Sequence, residues 1–146
     1  MTARDNARVA VPPEPGEAAP VRLPPIQVRT GAGEVAAFLR ETGGIGTGDF
    51  VPLTFPFRWL TLPAIRGSIL RLSGGEGFLP VHEAQSFAYE RSLRADADYI
   101  LDVEIQSTEK PPRLILKMTV STVQDEICAR LETILRIVRL NPETPA

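Results

Sequence analysis

The chain has 146 residues, of which 43% are hydrophobic and 23% charged, with a net charge of −2. That length fits one domain, and the composition excludes disorder over most of it. Without a basic cluster interleaved with aromatics, nucleic acid and anionic membranes are excluded as natural partners, and the lone Cys128 and lone His82 exclude an internal disulfide and a multi-histidine metal site. No cofactor is implied, and the expected compartment is a reducing cytoplasm.

Residues 1–11 mix Arg4, Asp5 and Arg8 with small side chains and carry no continuous apolar run, so neither a signal peptide nor a membrane span is expected there. Six of the 14 prolines precede Ile26. Their missing amide donors predict an extended, mobile arm over residues 1–25, serving as a solvated tail or as a strap across a partner. The domain proper is expected over residues 26–140, with a short tail at 141–146.

Residues 26–30 alternate apolar and polar side chains, the period of a half-buried strand. Val35, Phe38 and Leu39 then share a helical stripe that Gly43-Gly44 stops. The glycines between Gly43 and Gly48 follow a helix and lack a Gly-Lys-Ser/Thr continuation, so they predict a loop and not a phosphate cradle. Residues 54–72 read as a helix, starting at Thr54 before Pro56, apolar on more than one face and largely buried, and kinked or split in two at Pro63. Ser73-Gly74-Gly75 ends it.

Four strand-like stretches follow, at 79–93, 99–107, 113–122 and 127–140, separated by turn chemistry that favours antiparallel neighbours. Leu101, Val103 and Ile105 alternate with Asp102 and Glu104, and Leu114, Leu116, Met118 and Val120 with Lys117, Thr119 and Ser121. The last stretch also obeys a helical period through Leu131, Ile134, Leu135 and Val138, but its β-branched residues favour strand. The fold class is α+β, a central helix wrapped by an antiparallel sheet.

Two stretches carry a family resemblance. Val51-Pro52-Leu53-Thr54-Phe55-Pro56-Phe57 resembles the start of the central helix of the MaoC-like hydratases and dehydratases, which have the hot-dog fold and act on acyl thioesters. Residues 78–98, with His82, then Gln85-Ser86-Phe87-Ala88-Tyr89, then Arg91, Leu93 and Arg94-Ala95-Asp96, resemble the strand that follows it, with Ala95-Asp96 where the family has Gly-Asp. The resemblance spans roughly residues 26–138. It implies a homodimer or a heterodimer with another hot-dog subunit, an acyl-CoA or acyl-carrier-protein thioester as substrate, and reversible addition of water across the α,β bond.

In the family, an Asp and a His in an Asp-x-Asn-Pro-x-His loop do the proton work. Here Asp49-Phe50-Val51-Pro52-Leu53-Thr54 keeps the Asp and the Pro but has Val51 for the asparagine and Thr54 for the histidine, and a threonine does not exchange protons near neutral pH. The resemblance therefore implies a dehydratase-like subunit without its own catalysis, paired with an active paralogue. His82 and Asp49 are the candidate acid–base groups, and Pro52, Thr54, Phe55, Phe57 and Trp59 the candidate substrate-binding residues. His82 also reads as a half-buried sheet residue, on the opposite strand face from Glu83, Asp49 as a turn residue, and Cys128 as a packed side chain. The alternatives are an independent dehydratase or thioesterase, and a non-enzymatic module that shelters an acyl chain or binds its carrier.

Overall fold

The alternation along residues 98–139 becomes a sheet with one apolar face. A computed structural model describes residues 19–44 and 48–140. In chain order they form β1 (Val21–Arg22), β2 (Ile26–Arg29), α1 (Ala32–Thr42), a 3-10 helix (Phe55–Thr61), α2 (Pro63–Leu72), β3 (Phe78–Tyr89), β4 (Asp98–Glu109), β5 (Pro112–Thr122) and β6 (Ile127–Arg139). The sheet order is β1-β4-β5-β6-β3, with β2 also on β4, and every pairing is antiparallel. Leu101, Val103 and Ile105 lie opposite Val120, Met118 and Leu116. All six are buried and share one core with Phe55, Trp59, Ile65 and Ile69 of the helical layer. On the other face the register aligns Glu104, Lys117 and Glu132, so charges of alternating sign meet across three strands.

The apolar helix splits where a proline forbids the preceding residue its helical conformation. Leu62 is extended, with ψ 139°, and Pro63 opens α2. The first half is a 3-10 helix, whose side chains at i and i+3 stack, and accordingly the Arg58 guanidinium sits 5.0 Å over the Phe55 ring. The expectation that this element is largely buried needs correction. The sheet covers one side only, leaving Phe57 39% and Leu70 47% exposed.

The final stretch is a strand, as its β-branched residues indicate. Two other expectations change. β3 pairs with β6 and not with β4, because β1 and β2 occupy the outer side of β4; the link after β3 therefore carries the chain across the layer to the opposite edge. The ordered domain also begins before residue 26: Val21 lies opposite Ile105 and the Leu23 amide donates to the Val103 carbonyl at 3.0 Å. β1 and β2 are one edge strand interrupted by Pro24-Pro25. Residues 1–18 of the expected arm and the tail at 141–146 lie outside the described residues.

A buried threonine joins these parts. The Thr30 hydroxyl donates to the Arg94 carbonyl at 2.6 Å and accepts from the Ala97 amide at 3.1 Å, while the Thr30 carbonyl accepts from the Asp96 amide at 2.5 Å. Asp96 takes the left-handed conformation of this turn, φ 55°, which aspartate tolerates better than most residues. Its carboxylate accepts from the Ala32 amide at 2.9 Å, satisfying a donor at the start of α1. Thr30→Val leaves the Ala97 amide without its hydroxyl partner and is expected to cost about 1–3 kcal/mol. Urea unfolding should show a lower midpoint at unchanged m; an unchanged midpoint would contradict the role assigned to this junction.

Candidate functional site

The segment leading into the 3-10 helix is fixed through its backbone. The Ala95 amide donates to the Asp49 carbonyl at 2.7 Å, the Val51 amide to the Leu93 carbonyl at 2.8 Å, and Phe50 forms an antiparallel bridge with Arg94. These bonds bury Val51 and leave the Asp49 side chain exposed. Pro52 is half-buried. Thr54 occupies the position before the helix, but its side chain makes no capping bond and is exposed. Phe55 and Trp59 are buried, stacked edge-on at 6.0 Å, with Phe38 edge-on to Phe55 at 5.3 Å. Of the expected substrate-binding aromatics, Phe57 is the one that reaches the surface.

β3 presents the other wall. Its register places Gln85, Phe87 and Tyr89 opposite Thr133, Leu131 and Ala129, on the helix side of the sheet. A bulge between His82 and Ala84 shifts the alternation, so that the helix-side positions are even-numbered before it and odd-numbered after it. His82 stays on the helix side, its ring edge-on to Phe57 at 5.0 Å. Glu83 turns to the far face, donated to by Arg113 at 2.6 and 3.2 Å and by Arg136 at 3.3 Å. The Arg113 hydrogen bond, reinforced by both positive charges, holds the Glu83 carboxyl below its usual range. The separation of His82 from Glu83 agrees with their alternation in sequence; the half-buried reading of His82 does not, because β3 is an edge strand and the ring is exposed.

His82 and Asp49 are not brought together. Asp49 is tied to Ala95 beyond the Tyr89 end of β3, while His82 lies seven residues back along that strand, a span of about 20 Å at the usual rise. Among the described residues neither side chain has a hydrogen bond or ion pair. Cys128 is buried, and that burial pushes its thiol above the ordinary range, which disfavours a nucleophilic thiolate.

Two residues gain roles that the sequence reading left unassigned. The Tyr89 hydroxyl donates to the Leu53 carbonyl at 2.6 Å, pinning the approach to the 3-10 helix, and burial pushes its pKa up to about 12. Gln85 accepts from the buried Thr133 hydroxyl at 2.7 Å. Their signal was the i, i+2 spacing of Gln85, Phe87 and Tyr89, which sets all three on one strand face.

The free edge of β3 follows from hydrogen-bond parity. The Glu90 amide donates to the Cys128 carbonyl and the Leu140 amide to the Gly77 carbonyl. In an antiparallel ladder alternate residues face the partner strand. Beyond the bulge, Ala84, Ser86 and Ala88 therefore face β6, and Gln85, Phe87 and Tyr89 offer their main-chain groups outward. Before it, Pro80 and His82 face outward, and Pro80 has no amide to offer. The free ladder is continuous over Gln85, Phe87 and Tyr89 and interrupted on the Pro80 side.

No family model and no curated protein sequence matches the chain. Solved structures do. A hot-dog-like protein from Thermanaerovibrio acidaminovorans superposes with a TM-score of 0.61 at 15% identity, covering 83% of this chain and 82% of that one. The fold is a hot dog. The C-terminally truncated HadBC complex of Mycobacterium tuberculosis, a 3R-hydroxyacyl-ACP dehydratase, matches at a TM-score of 0.65 and 14% identity, over 82% of this chain and 95% of that one. A 1,4-dihydroxy-2-naphthoyl-CoA thioesterase from Synechocystis matches at 0.55 and 11%, over 84% and 86%. Among the described residues of this hot dog, no group of three or more His, Cys, Asp or Glu side chains is placed to hold a metal, and no helix is long and apolar enough to cross a membrane.

The burial of the Tyr89 phenol gives a pH signature. The phenol ionises near pH 10 in the unfolded chain and near 12 in the fold, so its stabilising contribution is complete below pH 10 and declines as pH rises between those values. Tyr89→Phe should lower stability at neutral pH by about 1 kcal/mol and flatten the alkaline decline, read as the difference between wild-type and variant unfolding curves at pH 8 and pH 11. Identical slopes would contradict the burial of this phenol, and unchanged stability at neutral pH would contradict the bond to Leu53.

Proposed function

We propose that the chain is an acyl-thioester dehydratase-like hot-dog subunit of the MaoC-like type, without hydratase chemistry of its own, that pairs through β3 with an active hot-dog subunit. The observation that carries this reading is the isolation of His82: among the described residues its ring meets Phe57 and no carboxylate, while Asp49 is held at the other end of β3. General acid–base addition of water needs two proton-handling groups within reach of the same α,β bond, and the position where the resembled loop has its histidine is Thr54.

What remains is a wall for an apolar chain. Phe57 and His82 meet edge-on on the helix side of β3, which among the described residues is the edge strand of the sheet. Edge strands with exposed apolar side chains such as Phe78, Leu79 and Val81 are normally covered, and a partner strand would both satisfy the outward groups of Gln85, Phe87 and Tyr89 and close the space beside Phe57. The acyl thioester would lie in that space, with the partner subunit supplying the Asp and His.

The test is hydration of a crotonyl thioester. The purified chain alone should give no turnover, His82→Ala should change nothing in that baseline, and adding a hot-dog subunit with an intact Asp-x-Asn-Pro-x-His loop should give activity that depends on this chain. Full turnover by the purified chain, abolished by His82→Ala, would overturn the proposal. Thiol release across short and long acyl-CoAs by the chain alone would replace it with a thioesterase.

A further inference from the structure

The far face of the sheet, away from the helices, is apolar at one end. Val81 lies opposite Arg136 and Leu79 opposite Val138, and Ile115 lies opposite Ile134 on the same face. Leu79, Val81 and Val138 are 47%, 43% and 41% exposed. A strand added beside β3 would continue the sheet and lie next to these side chains, not over them. Among them sits the cluster in which Arg113 and Arg136 share the Glu83 carboxylate, leaving one positive charge in excess; Glu109 and Lys110 in the adjoining turn cancel. Thr108, Arg113, Arg136 and Val81 form one row across β4, β5, β6 and β3.

The chain enters the fold at this same end. Val21 lies opposite Ile105, and antiparallel strands run against each other, so the residues before Val21 head along β4 toward Ser107 and Thr108. They meet the row at its outer edge. Residues 9–18 carry Glu14 and Glu17 and no Lys or Arg, with Arg4, Asp5 and Arg8 further out. Pro12, Pro13 and Pro15 favour a polyproline II helix, whose three residues per turn set Val11, Glu14 and Glu17 on one side.

We propose that residues 9–18 lie across this end of the far face as a strap, with Glu17 and Glu14 over the arginine cluster and Val11 on Leu79 and Val81. The lengths agree. From β1 to β3 the row spans four strand spacings, about 19 Å, and eight residues from Ala19 back to Val11 reach about 25 Å, enough to climb over the edge of β4 as well. Glu14 falls about 16 Å along that path, above β6 and Arg136. Apolar burial supplies the attraction, and the two carboxylates fix the direction. A second copy of this face is a poorer occupant, because it brings the same excess of positive charge. The strap leaves the outward main-chain groups of Gln85, Phe87 and Tyr89 free, so it does not compete for the β3 edge.

The experiment is paramagnetic relaxation in the isotope-labelled full chain carrying a nitroxide at Ala10→Cys; Cys128 is buried and stays unlabelled. The strap predicts the strongest broadening at Leu79, Val81 and Val138, at the edge opposite the one where residue 19 is rooted. The double variant Glu14→Arg, Glu17→Arg should reduce that broadening about fivefold with the resonances of the helix side unmoved, which separates a lost contact from misfolding. Broadening strongest along β1 and β4, around the root, overturns the proposal, and so does a pattern that survives the charge reversal. Mixing isotope-labelled chain without nitroxide and unlabelled chain bearing it identifies the source. Broadening in the mixture equal to that within one molecule gives the face to a second copy and also overturns the proposal; its absence there supports the strap.

Discussion

The contact on which the rest of the molecule depends is that between the split apolar helix and one face of the sheet. Phe55, Trp59, Ile65 and Ile69 bury against Leu101, Val103, Leu116 and Val120, and nonpolar burial of this kind contributes about 25 cal/mol per Å² removed from water. A single sheet has one apolar face to give. Since the helical layer is apolar around more of its circumference than that face covers, Phe57 and Leu70 remain outside. Both the open flank beside β3 and the outward face of α2 follow from that shortage.

Much of this was legible in the sequence, for local reasons. Alternation marked β4 and β5, Pro63 announced the break between the two helical pieces, and β-branched residues decided the strand character of residues 127–139. The order of strands was not legible. A turn-rich link such as residues 90–97 looks the same whether it joins neighbours or crosses a layer, and what sends it across is the prior occupation of the outer side of β4 by β1 and β2. The sheet starts inside the proline-rich stretch for a related reason: Val21 and Arg22 are only two residues between prolines, and their strand character comes from the β4 edge they meet.

The candidate site divides in the same way. The separation of His82 from Glu83 was readable from strand alternation. The Tyr89–Leu53 and Gln85–Thr133 bonds join positions 36 and 48 residues apart, which no local pattern reports. The bulge after His82 was equally hidden; it changes which residues of β3 face the helices from there to Tyr89.

The central claim is that β3 is half of an interface whose other half completes an acyl site. Residue-resolved amide hydrogen exchange, compared between the monomeric chain and its assembly with itself or with a second hot-dog subunit, tests it most directly. Assembly should slow exchange at Gln85, Phe87 and Tyr89, the outward amides beyond the bulge, and leave Ala84, Ser86 and Ala88, already bonded to β6, little changed. An assembly in which the three outward amides exchange as fast as in the monomer would contradict the account.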